Sequence, residues 1–483
     1  MDERILSDFR QIVGEAGLVS APEQLRTYEC DGLTSYRSLP AALVLPTSTK
    51  QVQDIVRICH RERIPFVARG SGTGLSGGAL PVAEGLLIGL ARMNRVLSVD
   101  IPNARIVVEP GVLNLQVSQH VAGFGYYYAP DPSSQQVCSI GGNVAENSGG
   151  AHCLKYGFTT NHVLGLTVVL PNGDVAHFGG QTLDRPGYDL TGAFVGSEGT
   201  LGIATEIILR LLRRPEEVQL IMAAFDSTDQ AGSAVSDIIA ARMLPAAMEM
   251  MDNLSIQAVE QATHAGYPTS AGALLLVELD GPRAEVETLI DAVEDICRRN
   301  KAWEVRRATD ADQRALMWKG RKAAFAAMGR ISPSYYVQDG VIPRTTLPQV
   351  LRRIDDLSAD YGMRVANVFH AGDGNLHPLV LYDAAADGEV ERAEELAAEI
   401  LLACVEQGGS LTGEHGIGVD KKKYMPKVFT DDDLDTMHRF RCAFDPDQLC
   451  NPGKVFPTPR LCGERPGPAR THPLVEAGAA EIF

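Results

Sequence analysis

His370 and His377 bracket Ala371-Gly372-Asp373-Gly374-Asn375, a turn-forming run between the apolar stretches VANVF and PLVLY. A hairpin there sets the two histidines on neighbouring strands, where directly paired Cβ atoms stand ~5 Å apart. Two imidazoles at that spacing can share one divalent ion at ~2.0–2.1 Å each, or can be two hydrogen-bonded core histidines. Further on, Glu414 and His415 lie inside the glycine-bounded run GGSLTGEHGIG. That pair reads either as a third ligand beside a titrating base or as a capped turn. Two histidines and one carboxylate leave a coordination position open, which catalysis on a metal needs. An imidazole with an ordinary pKa of ~6.5 can act as a base at neutral pH.

The first half carries a different chemistry. Arg69-Gly70-Ser71-Gly72-Thr73-Gly74-Leu75-Ser76-Gly77-Gly78 leaves the strand-like PFVA and places five glycines in nine residues. Glycines allow φ > 0 and remove side chains, so successive backbone N–H groups can converge on a pyrophosphate; a flexible surface loop is the alternative. It is not a Rossmann fingerprint, because no long βαβ unit with an acidic residue ~20 positions on follows it. Two further segments share the character. One is Pro130-Asp131-Pro132-Ser133-Ser134 leading to SIGGNVAENSGG (139–150), and the other is VGSEGTLGI (195–203). Three such loops, each beside a strand, are hard to explain as linkers.

The elements that must position these residues follow from periodicity. Residues 1–38 read as helical, AALVLP as a strand, and TSTKQVQDIVRICHRE as an amphipathic helix capped by Thr47 or Ser48. Short strands follow, with a hairpin turned at Asn172-Gly173, and RRPEE marks a boundary near residue 214. The second half repeats a β-α-β rhythm, which predicts ferredoxin-like units: an antiparallel sheet with helices on one face. The fold class is therefore α+β, divided as 1–38, 39–216, 217–457 and a Pro/Gly/Ala-rich, loosely ordered tail at 458–483.

Of the 483 residues, 45% are hydrophobic and 22% charged, enough for sizeable cores. The net charge of -17 argues against a nucleic-acid or anionic-membrane surface. No run reaches the ~18–20 apolar residues of a membrane span, and the acidic N-terminus is unlike a secretory signal. The nine cysteines form no CxxC pair, which suggests reduced thiols in a cytoplasmic protein and no iron–sulfur cluster in this chain.

PFVARGSGTGLSGGALP, DPSS…SIGGNVAENSGG, VGSEGTLGI and CNPGKVFP, in that order, resemble the vanillyl-alcohol-oxidase-type FAD-linked oxidases. Within that family the likeness is to the catalytic flavoprotein subunits of glycolate oxidases and to D-lactate dehydrogenases, over roughly residues 20–457. The resemblance implies a two-lobed FAD-binding domain at 39–216 and a substrate domain at 217–457 that returns to the flavin at 451–454. It implies that residues 69–74 and Ser76 hold the pyrophosphate, with Pro130, Asp131 and Ser134 near the flavin ring. Gly141, Gly142, Asn143, Ser148 and Gly150 would lie along the cofactor, with Ile203 and Asn451 as further contacts. Tethering relatives use a histidine in the first glycine loop; Thr73 stands here, so FAD is expected to be non-covalent.

The same resemblance assigns His370, His377 and Glu414 to a divalent metal, Zn in first place with Mn or Fe compatible, and His415 to acid–base catalysis. Arg321 would fork onto a substrate carboxylate, with Lys319 and Lys322 as solvated helix charges. The expected reaction is oxidation of a small 2-hydroxy acid, with the hydroxyl proton going to His415 and the α-hydrogen leaving as hydride to the flavin. Val337 stands where relatives acting on D-2-hydroxyglutarate carry a lysine, and Phe325 follows Arg321 by one turn, so glycolate or D-lactate is expected over the diacid. A second flavin-domain subunit and an iron–sulfur subunit are the expected electron-accepting partners, which would place the protein in the cytoplasm, peripheral to a membrane only through them. The rival readings are a D-2-hydroxyglutarate-type dehydrogenase, a metallohydrolase built on the His/Glu cluster, and a redox-inactive flavin-binding subunit.

Overall fold

A computed structural model describes residues 1–182 and 187–457; the tail expected at 458–483 lies outside them. The N-terminal segment is less helical than its sequence suggests. A helix at Glu3–Val13 gives way to short turns, and Leu18–Val19 pairs antiparallel with Ala42–Val44. Ala42–Val44, Leu86–Gly89 and Phe66–Arg69 then run parallel in that order. The Thr49–Glu62 helix connects two of these strands, and its Ser48 cap accepts from the Gln51 N–H. The first glycine segment leaves the carboxyl end of Phe66–Arg69, so it emerges at the sheet rim.

A second, antiparallel sheet orders Val96–Asp100, Arg105–Val108, Ile203–Arg210, Val163–Val169 and Val175–Gly179. Its last two strands form the Asn172-Gly173 hairpin, with Gly173 at φ +85° as such turns require. From Glu217 on the chain builds an eight-stranded antiparallel sheet, whose central strands include Glu217–Phe225, Ala273–Gly281, Ala247–Asp252, Val365–His370 and Asn375–Tyr382.

Helices cover both faces of this sheet, not one. In Glu217–Phe225, Ile221, Ala223 and Phe225 pack into a core beneath the helices Thr228–Ala240, Arg283–Arg299, Leu347–Tyr361 and Glu389–Glu406. The alternate residues Leu220, Met222 and Ala224 pack into a second core beneath Asn253–Thr263 and Ala311–Lys322. All six are fully buried. A strand buried on both sides is a continuous apolar run rather than an alternation, and such a run does not say how many layers cover it. Seven described cysteines are free thiols.

Candidate active site

The C-terminal motif returns to the first sheet. Phe66 N–H donates to Leu449 O and Asn451 N–H to Phe66 O, both at 2.8 Å. The Asn451 side-chain amide donates to Gly78 O (2.9 Å) and Glu198 O (2.7 Å), joining the first and third glycine segments. Between these loops opens a cavity of ≈ 410 Å³. Of the residues expected to hold a cofactor, Arg69, Gly70, Ser71, Gly72, Thr73, Gly74, Ser134, Gly141, Gly142, Asn143, Ser148, Ile203 and Asn451 line it.

Ser76, Pro130, Asp131 and Gly150 are off its wall. Ser76 O receives the N–H groups of Val419 and Asp420, Pro130 O receives the Asn114 amide, and Gly150 packs on the Asp131 carbonyl. The wall has no room for side chains at its tightest point: a Cβ on Gly70 would fall 2.1 Å from Ser139 Oγ. Such a bare backbone wall suits the close approach of a nucleotide cofactor.

The same cavity is also lined by Glu414, His415, Phe325, Tyr335 and Lys322. The hairpin expected around 371–375 is present, with a different register. His370 pairs with Asn375, and His377 stands opposite Val368. The histidines are therefore diagonal neighbours on one face, and their ring centroids are 5.0 Å apart. Glu414 Oε1 lies 3.3 Å from His370 Nε2 and 3.1 Å from His377 Nε2. Ligand atoms of all three residues fall within 4.8 Å of one another, as do those of Asp339, His377 and His415.

His377 Nδ1 makes no hydrogen bond, while its Nε2 faces Glu414 Oε1. A buried imidazole converging with a second imidazole and a carboxylate has the donor set of a three-residue divalent-metal site. Burial alone would raise the Glu414 carboxyl, but the two histidines hold it well below the usual carboxylate range. Gly149 is bare beside two side chains: a Cβ there would meet Phe158 Cε1 at 2.7 Å and Glu414 Oε2 at 2.8 Å.

Carboxylates that the sequence reading did not single out as site residues brace this cluster. Glu249, fully buried, accepts from His370 Nδ1 at 2.9 Å, which fixes that ring's tautomer and leaves Nε2 toward Glu414. Asp339, also fully buried, accepts through Oδ2 from the Thr412 hydroxyl and from the N–H groups of Gly413 (3.0 Å), Glu414 (3.3 Å) and His415 (2.9 Å). One carboxylate thus fixes the loop that presents Glu414 and His415. The His415 ring stacks on His377 at 4.9 Å, and burial pushes its pKa down to about 4, so it stands neutral.

Arg321, expected on a substrate carboxylate, is 4% exposed with Nη2 2.6 Å from Glu249, and it is not on the cavity wall. Lys322 is not a solvated charge: its ammonium lies 3.2 Å from Asp131 and it lines the cavity. Asp131 also takes His152 at 3.0 Å, whose other nitrogen lies 3.0 Å from Glu278. Burial works against a charge on His152, yet the two carboxylates lift its pKa well above the usual value. Val337 packs in the core, 8% exposed, and the apolar wall is made by Phe325 and Tyr335. Glu249 had a signal in sequence, an acid flanked on both sides by apolar residues in AAMEMM, since a charge so placed must find partners. His152 had none.

Known proteins resemble the chain in family and in fold. Residues 40–179 match the FAD binding domain family, and residues 214–455 match the FAD linked oxidases, C-terminal domain. The chain is 51% identical to the glycolate oxidase subunit GlcD of Escherichia coli strain K12, over 95% of this chain and 92% of that one. It is 31% identical to a D-lactate dehydrogenase of Anaerostipes hadrus, over 93% and 97% of the two chains. The vanillyl-alcohol-oxidase-type fold is seen in its likeness to 4-ethylphenol oxidase from Gulosibacter chungangensis, with a TM-score of 0.79 at 20% identity over 95% and 97% of the two chains. By these matches over nearly its whole length, the chain belongs to the family of FAD-linked oxidases.

Proposed function

We propose that the chain oxidises a small 2-hydroxy acid, glycolate or D-lactate, to the 2-oxo acid with bound FAD. The observation that carries this reading is the single cavity lined both by the glycine loops and by Glu414 and His415. When bound, FAD supplies the two-electron acceptor, and a divalent metal on His370, His377 and Glu414, Zn by its donor set, supplies Lewis-acid polarisation of the hydroxyl oxygen. His415, neutral in its buried loop, takes the hydroxyl proton at Nε2, the nitrogen 3.8 Å from Glu414 Oε1. Asp339 keeps that imidazole in place through the backbone. Arg321, paired with Glu249, adds positive charge behind His370. Phe325 and Tyr335 exclude water around the reacting carbon.

Thr73 offers no nucleophile comparable with imidazole, so FAD is held non-covalently. The nine cysteines contain no closely spaced set for a cluster, so electrons leave to an external acceptor. The E. coli relative is named as a subunit, which supports electron-accepting partners here: a second flavin-domain subunit and an iron–sulfur subunit. Among the described residues no helix is long and apolar enough to cross a membrane. The test is anaerobic. Glycolate, the two lactates and 2-hydroxyglutarate are each mixed with the FAD-loaded protein and flavin absorbance is followed. Bleaching by glycolate or D-lactate is expected, and a flavin that none of the four acids reduces would overturn the reading.

A further inference from the structure

We propose that Lys322 is the cation that anchors the substrate's carboxylate, an inference that rests on the 2-hydroxy-acid reading above. Among the described residues that line the cavity, the only lysine or arginine side chains are Arg69 and Lys322. Arg69 belongs to the first glycine segment, where its guanidinium lies 5.7 Å from the Tyr28 ring centroid and is covered by Gly72. Lys322 lines the same cavity as Phe325, Glu414 and His415. The neighbouring Arg321 is turned into the interior and paired with Glu249.

The surroundings of Lys322 hold it in place without using it up. Its side chain is 32% exposed, and a hydrogen bond to Asp131 at 3.2 Å occupies one of its three donors. Its ammonium sits 5.7 Å from the Trp318 ring centroid, and the Trp318 indole N–H is itself fixed on Glu278 at 2.5 Å. His152 lies between Asp131 and Glu278, so the two carboxylates face two cations and Lys322 is not the sole counterion of Asp131. A donor is left for an arriving carboxylate, and the stem is already ordered, which lowers the entropy cost of binding. An acid bound there, with its hydroxyl one carbon away, reaches toward His415.

Oxalate cannot reduce the flavin as a 2-hydroxy acid would, so its titration into the FAD-loaded protein, followed by flavin absorbance, reads carboxylate binding without turnover. Lys322→Met is expected to weaken oxalate about 10- to 100-fold, the worth of a charge-assisted hydrogen bond. It should raise the half-saturating glycolate in flavin reduction by a similar factor, and Lys322→Arg should recover much of the loss. Glycolamide, which lacks the charge, should be affected little, so the preference for acid over amide collapses. A purely structural role would weaken acid and amide alike, and that result, or unchanged oxalate binding, overturns the proposal. So does altered sulfite addition to the flavin with the acid preference intact, because it places Lys322 on the cofactor instead. Should the Met variant fail to retain FAD, Lys322→Gln is read in the same way. Oxalate binding that depends on Lys322 in a protein whose flavin no 2-hydroxy acid bleaches would sink the oxidase reading and leave the anchor standing.

Discussion

Glu249 receives His370 Nδ1 at 2.9 Å on one carboxylate oxygen while its other oxygen lies 2.6 Å from Arg321. The strand at Ala247–Asp252 thus supplies the support for a histidine on its neighbour Val365–His370, directly opposite in register. Glu249→Gln removes the charge that orients His370 and leaves the buried Arg321 without a counterion. Metal affinity should fall about 10- to 100-fold, and the thermal midpoint should fall with it, because an unpaired buried charge is costly. Metal content after dialysis against a weak chelator, beside a melting curve, checks both. Full metal retention would show that His370 needs no orienting partner.

His415 is the predicted base. His415→Asn should keep FAD and the metal and slow flavin reduction by ~100-fold or more. Stopped-flow reduction under anaerobic conditions measures it. A variant reducing its flavin at the wild-type rate would place the base elsewhere.

The Asp131–His152–Glu278 chain predicts a pH dependence of stability. His152 titrates well above its unfolded value when folded, so the folded state holds a proton that the unfolded state releases above pH ~6.5. Its contribution is complete below that pH and is lost as pH rises toward the folded-state pKa. Thermal midpoints should therefore fall between pH 6 and 9 more steeply in the wild type than in His152→Gln, with Lys322 and Trp318 intact in both. Parallel slopes would mean that the ring is neutral in the fold.

Several parts of this architecture were legible before any coordinates. Asn172-Gly173 specified its hairpin because a two-residue turn needs φ > 0, and the three glycine segments announced a backbone-lined cavity because nothing else requires so many bare positions. The His370/His377 hairpin was visible in outline. Its register was not, since the loop between equal apolar runs fixes the pairing only once Asn375 closes on His370. The contacts Glu249–His370, Asp339–His415 and His152–Glu278 join residues 121, 76 and 126 positions apart in sequence, and no local pattern encodes such contacts. Lys322 was misjudged because a basic run at a helix end usually faces water, and here the helix end faces the cavity.

Thr73 bears on how the cofactor is held. It lines the cavity within the first glycine segment, and its hydroxyl is a far weaker nucleophile than imidazole toward a flavin methyl. Acid or heat precipitation should release yellow FAD into the supernatant. Colour that stays with the precipitated chain would show a covalent bond.

Substrate length follows from the wall opposite His415. Phe325 packs edge-on against His377, with centroids 5.6 Å apart, and lines the cavity together with Tyr335. Arg344, the other basic residue near this stretch, donates to Gly372 O and is not on the wall. A second carboxylate on the substrate would meet aromatic carbon there without a cation, at a cost on the order of several kcal/mol if buried. The one- or two-carbon body of glycolate or D-lactate leaves nothing unpaired on that side. Flavin reduction should thus be faster with glycolate or D-lactate than with D-2-hydroxyglutarate at equal concentration. Placing a lysine at the wall, as in Phe325→Lys, should narrow or reverse the gap by giving the distal carboxylate a partner. A wild-type protein that reduces its flavin fastest with the diacid would show that another cation reaches the pocket.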